Sequence, residues 1–243
     1  MRSGYLRFLH TFSKCSVGQG AVSVALLILL LTGWAGREDA VQSALRQGNR
    51  HYEASDYRAA LKSYETGLEA SPDHETLNYN AAQAAYWLGD YEKAISDYTQ
   101  AIRLDPSNIG AYSSRGYAHA QNGNYDQAIS DCSQVIRVNP DYATAYNNRG
   151  NAYYRKSNFD QAIANFNRAI GLDPKEAIYY NNRGNAHYSR GNYDQAISDY
   201  TQAIKLDPRN ATYYNNRGNA YEKKGNRKHA AANHARAKRL GYK

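Results

Sequence analysis

The sequence is poor in cysteine and in most of the large apolar residues that fill a thick protein core. Its 243 residues include two cysteines, one methionine and four phenylalanines, against 24 tyrosines. Two cysteines are too few for a disulfide-rich scaffold, or for a zinc or iron–sulfur site built from several cysteines. Because tyrosine combines an apolar ring with a hydroxyl that seeks a hydrogen bond, this composition favours many thin helix contacts over one dry core.

Acidic residues are missing from the first 35 positions, and only one lies beyond position 221. The net charge of +8 therefore belongs to the two ends of the chain, because residues 36–221 contain 19 basic and 21 acidic side chains. A nucleic-acid-binding protein usually presents a basic face on its folded body. The nearly neutral central part therefore predicts no nucleic-acid partner.

Residues 15–36 contain no charged side chain, and two interpretations of this segment stay open. Its length is just enough to cross a hydrocarbon core of about 30 Å as a helix, which predicts residues 1–36 as a single-pass membrane anchor. A signal peptide fits as well, with cleavage near Ala35 and a secreted or periplasmic product. In both cases the basic residues before the apolar run place residues 37–243 on the extracytoplasmic side.

The sequence repeats with a period of 34 residues. All five prolines are spaced by this period, and small residues recur at two further positions. Each copy predicts two helices, because a small residue followed by asparagine or aspartate near its middle suits a helix end and the next helix start. Proline then ends the second helix. The six copies are residues 41–74, 75–108, 109–142, 143–176, 177–210 and 211–243.

Positions within each copy are numbered from its first residue, so that proline stands at position 32. A 34-residue unit with small residues at positions 8 and 20, an aromatic residue at position 24 and this proline resembles the tetratricopeptide repeat family. The resemblance implies an all-α fold, an α-solenoid of six tandem helix–turn–helix repeats in a right-handed superhelix. One N-terminal apolar helix would precede it. The resemblance also implies an inner groove lined by the first helix of each repeat, and a role in binding rather than catalysis.

No motif for an enzyme stands out in the sequence. A nucleophile elbow, a phosphate-binding loop and an HExxH zinc motif are all missing. His51, His119 and His187 occupy position 11, where other copies carry tyrosine, so we interpret them as packing residues. We therefore predict no catalytic residue, no cofactor and no metal site.

Asparagine is concentrated on the predicted inner surface. In the family this surface takes positions 2, 5, 6, 9, 12 and 13 of each first helix, and asparagine is a mediocre helix former that needs another reason to be there. One interpretation is a ladder of amides that bonds to the backbone of an extended peptide; the other is capping of turns and bridging of neighbouring helices. The predicted peptide-binding residues are Asn80, Asn147, Asn148, Asn151, Tyr154, Asn181, Asn182, Asn185, Tyr188, Asn215, Asn216 and Asn219.

Position 7 of the repeat and the last helix both depart from the family pattern. Position 7 is arginine in four copies, at Arg115, Arg149, Arg183 and Arg217. Three uses of this side chain stay open: stacking on tyrosine, pairing with the residue at position 23, and reaching into the groove. The second helix of the last copy is strongly basic. It suits a solvated cap of the solenoid, or a patch that docks on an acidic surface.

These patterns predict a non-enzymatic interaction scaffold that binds an extended segment of a partner protein in its groove. The N-terminal segment would hold it at a membrane or route it to the cell envelope. Two alternatives stay open, because tyrosine and asparagine also suit sugars and because a solenoid can join copies of itself. They are a glycan- or envelope-polymer-binding protein, and a purely architectural protein that forms homo-oligomers.

Overall fold

Six pairs of helices make up the part of the chain that the structure describes, which in this computed structural model is the backbone of residues 20–242 and the side chains of residues 35–242. The first helices of the pairs are α1 (Gly20–Glu53), α3 (Glu75–Trp87), α5 (Ile109–Gln121), α7 (Ala143–Arg155), α9 (Ala177–Ser189) and α11 (Ala211–Lys223). The second helices are α2 (Tyr57–Ala70), α4 (Tyr91–Leu104), α6 (Tyr125–Val138), α8 (Phe159–Leu172), α10 (Tyr193–Leu206) and α12 (Arg227–Arg239). The predicted all-α solenoid of helix pairs is confirmed.

A left-handed residue lets the chain turn back between the two helices of each pair. Four pairs use glycine, with φ between 76° and 87° at Gly89, Gly123, Gly191 and Gly225. The other two use Ser55 and Ser157, with φ of 61° and 59°. The side chain that follows caps the second helix in four pairs, through Asp56, Asp90, Asn158 and Asn226. Asn124 and Asn192 make no such bond, so the predicted cap holds in four of the six turns.

Small residues allow the two helices of a pair to approach closely. A Cβ atom added at Gly184 would lie 2.8 Å from the Tyr200 ring, and one added at Gly150 would lie 2.7 Å from the Phe166 ring. Alanine at position 20 is fully or almost fully buried in all six pairs. The aromatic residue at position 24 therefore fills the space that the missing glycine side chain leaves, as the 34-residue pattern predicts.

The pairs stack one upon the next through small apolar clusters. One such cluster contains Ala82, Ala85, Ala94, Tyr98 and Ala118, and thus joins α3, α4 and α5. The first helices of successive pairs also contact each other from α3 to α11. The first helices therefore lie on the inner side of the stack, and their outward positions are open to form a groove.

Arginine at position 7 fastens each repeat to itself and to the repeat before it. Arg183 donates two hydrogen bonds to Asp199 in its own pair, at 2.9 and 2.6 Å, and one to Asn167 of the preceding pair at 2.7 Å. Its guanidinium also lies 5.7 Å from the centre of the Tyr180 ring. The same three kinds of contact recur at Arg115, Arg149 and Arg217. The arginine thus combines two of the predicted uses, stacking and pairing, and it is not available to the groove.

An amide oxygen replaces the carboxylate at position 23 in two of these contacts. Arg149 donates to Asn165 at 2.8 Å, and Arg217 donates to Asn233 at 2.9 Å. Asparagine at position 23 therefore removes the charge of the pair but keeps the hydrogen bond. Asp97, at position 23 of the second copy, pairs with Lys93 instead, since position 7 is Ala81 there.

The N-terminal prediction lies mostly outside the described side chains. The anchor or signal peptide was expected at residues 1–36, and side chains are described only from residue 35 onward. The boundary expected after residue 36 falls inside α1, because the single Gly36 weakens a helix by only about 1 kcal/mol relative to alanine. Among the helices of residues 35–242, none is long and apolar enough to span a membrane.

The last pair ends the stack with a polar surface. In the second to fifth pairs, positions 21 and 28 are isoleucine, and these side chains pack onto the next pair, as Ile197 does beside Ala220 and Ile204 beside Tyr213. The last pair has Ala231 and Lys238 at these positions, and both are exposed. This replacement supports the interpretation of α12 as a solvated cap.

Candidate functional site

Two adjoining clefts lie on the side of the stack formed by the first helices. The amide cleft has a volume of about 310 Å³, and its lining includes Asn148, Asn151, Tyr154, Arg155 and Asn185. The aromatic cleft has a volume of about 440 Å³, and its lining includes Tyr52, Tyr86, Trp87 and Tyr98. Both clefts are also lined by Tyr117 and Asn148. They therefore form one continuous groove that runs across α1, α3, α5, α7 and α9.

The aromatic cleft presents rings that are held in place by one another. The Trp87 side chain stacks on Tyr57 with 5.7 Å between ring centres, and its indole nitrogen donates to the Tyr52 hydroxyl at 2.8 Å. Tyr86 packs against Tyr117 with 5.5 Å between ring centres. Trp87 and Tyr117 nevertheless remain 57% and 44% exposed. Such fixed, exposed aromatic surface is typical of a binding site, because little side-chain entropy is lost when a ligand covers it.

Burial raises the pKa of two phenols of the aromatic cleft further above physiological pH. Loss of hydration, together with the neighbouring Tyr117, raises the pKa of Tyr86. Loss of hydration also raises the pKa of Tyr52, against the lowering effect of its hydrogen bond from Trp87. These hydroxyls are therefore uncharged hydrogen-bonding groups at physiological pH.

Part of the asparagine ladder is used to join repeats. The side-chain NH₂ of Asn182 donates to Asn147 of the preceding repeat at 2.9 Å, and that of Asn216 donates to Asn181 at 3.0 Å. Asn147 and Asn181 are only 7% and 5% exposed. The structure therefore differs from the prediction at Asn147 and Asn181, which do not face the groove. Position 5 points between adjacent first helices, and the amide there meets the amide at position 6 of the next repeat.

Other amides keep polar atoms for a ligand. Asn148 accepts a long bond of 3.4 Å from Asn147, while its NH₂ group has no partner among residues 35–242. Asn151 makes no side-chain hydrogen bond within the same part of the chain. Asn185 accepts bonds from Tyr200 at 2.8 Å and from Asn216 at 3.3 Å, which leaves its NH₂ group available. These three asparagines line the amide cleft. Their NH₂ groups are therefore available to donate hydrogen bonds to a ligand.

The remaining predicted residues lie along the same face with different roles. Tyr154 lines the amide cleft, and its hydroxyl is 3.1 Å from the Ser189 hydroxyl. Tyr188 packs edge-on against Tyr193, with 5.5 Å between ring centres. Asn80 bonds to Asn49 at 3.2 Å. Asn215 and Asn219 are half-buried on α11, and neither lines the two clefts.

Sequence reasoning missed one groove residue and undervalued others. Tyr117 stands at position 9, where four other copies have asparagine, so the pattern of repeated amides does not include it. Trp87 and Arg155 were recognisable from their position 13, because this position faces the groove in the family. Arg155 is the single charged residue that lines either cleft. The position of these residues in the repeat, rather than their residue type, predicts that they line the groove.

Two histidines and one cysteine with shifted pKa values, His119, His187 and Cys132, line neither cleft. Loss of hydration lowers the pKa of His119 and His187 and raises that of Cys132 to about 12. All three pack between the helices of their own pair. Among residues 35–242, no group of three histidine, cysteine or acidic side chains is placed to hold a metal ion.

The repeat units match known families along most of the described chain. A family described as TPR repeat matches residues 82–123 and 184–225, and one described as tetratricopeptide repeat matches residues 114–177. Together these segments cover more than half of the chain. The chain belongs to the tetratricopeptide repeat family. Members of this family are typically interaction scaffolds without catalytic activity, which agrees with the lack of a catalytic motif in the sequence.

Several solved structures resemble this chain over most of its length. A crystal structure of MamA is 28% identical, with a TM-score of 0.60, and the match covers 65% of this chain and 93% of that chain. A tetratricopeptide repeat protein from Parabacteroides merdae is 25% identical, with a TM-score of 0.68 over 82% of this chain and 78% of its own. The pilF structure from Pseudomonas aeruginosa, at 17% identity and a TM-score of 0.68, covers 85% of this chain and 94% of its own and shows the fold alone. No curated protein matches this chain.

Proposed function

We propose that this tetratricopeptide repeat protein is a scaffold that holds an extended segment of a partner protein in the groove formed by the two clefts. The observation that carries the proposal is the pair of available amides, Asn148 and Asn151, beside exposed aromatic rings on one continuous surface. A carboxamide offers both a donor and an acceptor, which match the C=O and N–H groups of a peptide backbone. The rings supply apolar area to side chains of the same segment.

The expected affinity follows from the small number of available polar groups. Each net hydrogen bond contributes about 1 kcal/mol, and ordering a flexible peptide costs several kcal/mol. A few amide contacts together with aromatic packing then correspond to a dissociation constant of about one micromolar. Such reversible binding suits an adaptor.

Replacing Asn148 and Asn151 together by alanine tests this function. The full chain, in detergent micelles, is presented to a library of random short peptides, and the selected peptides are measured by fluorescence anisotropy. We expect the double variant to bind them about thirtyfold more weakly, because it loses two hydrogen-bonding groups that contribute about 1 kcal/mol each. Neither amide bridges neighbouring repeats, so the fold should be kept.

A matched control replaces Gln127 and Gln161 by alanine. These two amides are exposed on the second helices, α6 and α8, away from the groove. Peptide binding should not change in this variant. Equal loss in both variants, no peptide bound by the unaltered chain, or binding of an oligosaccharide array instead would contradict the proposal.

We also propose that residues 1–36 keep the repeat domain at a membrane, with residues 37–243 on the extracytoplasmic side. The proposal rests on the uncharged run at residues 15–36 and on the basic residues before it. Extraction of the expressed chain from membranes by detergent, but not by alkaline carbonate, is expected. Release of the repeat domain into the soluble periplasmic or secreted fraction would favour cleavage near Ala35 instead.

A further inference from the structure

Arg155 gives the otherwise uncharged groove a single positive charge. No aspartate or glutamate lines either cleft, and no second lysine or arginine does so. The neighbouring basic residue Lys156 and its equivalent in the next repeat, Arg190, are each neutralised, because Lys156 pairs with Asp126 and Arg190 pairs with Asp160. A ligand in the groove therefore meets one cation that the protein itself does not balance.

Arg155 is also held in a defined orientation. Its guanidinium lies 5.7 Å from the centre of the Tyr125 ring, and its Nε atom donates to the Tyr125 hydroxyl at 3.2 Å. The two terminal nitrogens have no hydrogen-bond partner among residues 35–242. A guanidinium whose terminal N–H groups are available binds carboxylates with two parallel hydrogen bonds. Fixing it on a tyrosine ring reduces the entropy that is lost on binding.

The aromatic cleft sets the chemistry of the neighbouring part of the ligand. Trp87 and Tyr117 are exposed beside the amide cleft, and the indole N–H is already bonded to Tyr52. The surface that these rings offer is therefore mainly apolar. An aromatic or aliphatic side chain gains more from covering it than a charged side chain does.

We propose that the groove selects an extended peptide that places an acidic side chain on Arg155 and an aromatic or aliphatic side chain in the aromatic cleft. The inference rests on the proposed peptide-binding function and names the class of segment that the groove prefers. Arg155 is then the residue that determines specificity, while the asparagines bind the backbone whatever its sequence. The single ion pair makes the affinity fall only slightly with added salt, because it is partly exposed.

A charge reversal at Arg155 tests the proposal. Random peptides displayed on phage are selected on the full chain in detergent micelles, on Arg155→Glu and on a control, Arg137→Glu, whose site is exposed on α6 outside the groove. We expect the unaltered chain and the control to enrich peptides with aspartate or glutamate near an aromatic or aliphatic residue. Arg155→Glu should lose the acidic enrichment and gain lysine and arginine.

Binding of one selected peptide gives the magnitude. Its affinity should fall about tenfold for Arg155→Glu and about threefold for Arg155→Gln, since an exposed ion pair is weak and a reversed charge adds repulsion. Trp87→Ala should lose the enrichment of aromatic and aliphatic residues while it keeps that of acidic ones. Helix content, measured by circular dichroism, should be unchanged in every variant.

The outcomes separate this proposal from the general one. Peptides that depend on Asn148 and Asn151 but show no acidic preference, or an acidic preference that Arg155→Glu retains, would overturn the role of Arg155 and leave peptide binding intact. Failure of the unaltered chain to retain any peptide that depends on these asparagines would overturn both.

Discussion

Single residues in this protein hold neighbouring repeats together through polar contacts. Arg183 donates two bonds to Asp199, which is 5% exposed, whereas Arg149 donates to the neutral amide of Asn165, which is equally buried. Both arginines also bond to the preceding pair and stack on a tyrosine. The two sites therefore differ in the charge of the partner and in the number of bonds to it, and Asp199 also lies 3.9 Å from the His187 ring.

Replacing each arginine by alanine should destabilise the protein by different amounts. We expect a loss of about 2–3 kcal/mol for Arg183→Ala, because a buried carboxylate is left without its cation. Arg149→Ala should cost about 1–2 kcal/mol, because the group left unpaired is neutral. Urea denaturation followed by circular dichroism measures both values. Equal losses would show that the stacking and the bond to the preceding repeat, rather than the charge, determine the stability.

Within a helix pair, the turn between the two helices is where an unfavourable backbone conformation occurs. The pair formed by α7 and α8 turns at Ser157, with φ of 59°, where four other pairs use glycine. A residue with a side chain pays about 1 kcal/mol or more in the left-handed conformation, whereas glycine does not. The hairpin is thus complete without glycine, but less stable than it can be.

Ser157→Gly should therefore stabilise the protein, by about 0.5–1 kcal/mol after the added freedom of the unfolded chain is subtracted. The same change at Ser130, which is exposed inside α6, should destabilise it by roughly the propensity difference of several tenths of a kcal/mol. Thermal unfolding of the two variants gives opposite shifts of the midpoint. A decrease for Ser157→Gly would indicate that the serine hydroxyl contributes more than the backbone conformation costs.

The end of the solenoid differs from the earlier pairs at two apolar positions that cover the next pair elsewhere. Ala231 and Lys238 take the places of the isoleucines that cover the next pair elsewhere. An exposed apolar end of a solenoid is a surface for another molecule, so terminal repeats need a polar face. The basic residues of α12 contribute to that face, and self-association through this end is disfavoured.

Introducing isoleucine at both positions, with Ala231→Ile and Lys238→Ile, should make the protein self-associate through the end of the solenoid. We expect a concentration-dependent increase in mass in analytical ultracentrifugation, because the added side chains expose apolar area. The matched control, Ala232→Ile with Arg239→Ile, alters the same helix by the same composition on its exposed outer side. Association of the control to the same degree would mean that general hydrophobicity, and not the stacking face, is responsible.

The sequence by itself determined the helix pairs and their number from residue 41 onward, and the helix boundaries of the fourth copy to within about one residue. In that copy, the pattern predicts helices over 143–156 and 158–172, and the structure has Ala143–Arg155 and Phe159–Leu172. The reason is that local signals specify these features: a small residue for the turn, a capping side chain and a proline, repeated in register. The close packing of Gly184 on Tyr200 follows from the same pattern.

Only the tertiary structure decided which asparagines serve the scaffold and which face the groove. Asn147 and Asn148 are neighbours in sequence and equal in chemistry, yet one is buried against Asn182 while the other lines both clefts. The direction of a side chain depends on how the next repeat is placed, and a helix pattern alone does not contain that placement. The partnership of Tyr117 with Tyr86 and of Arg155 with Tyr125 likewise joins residues about 30 positions apart, so it exists only once the repeats are stacked.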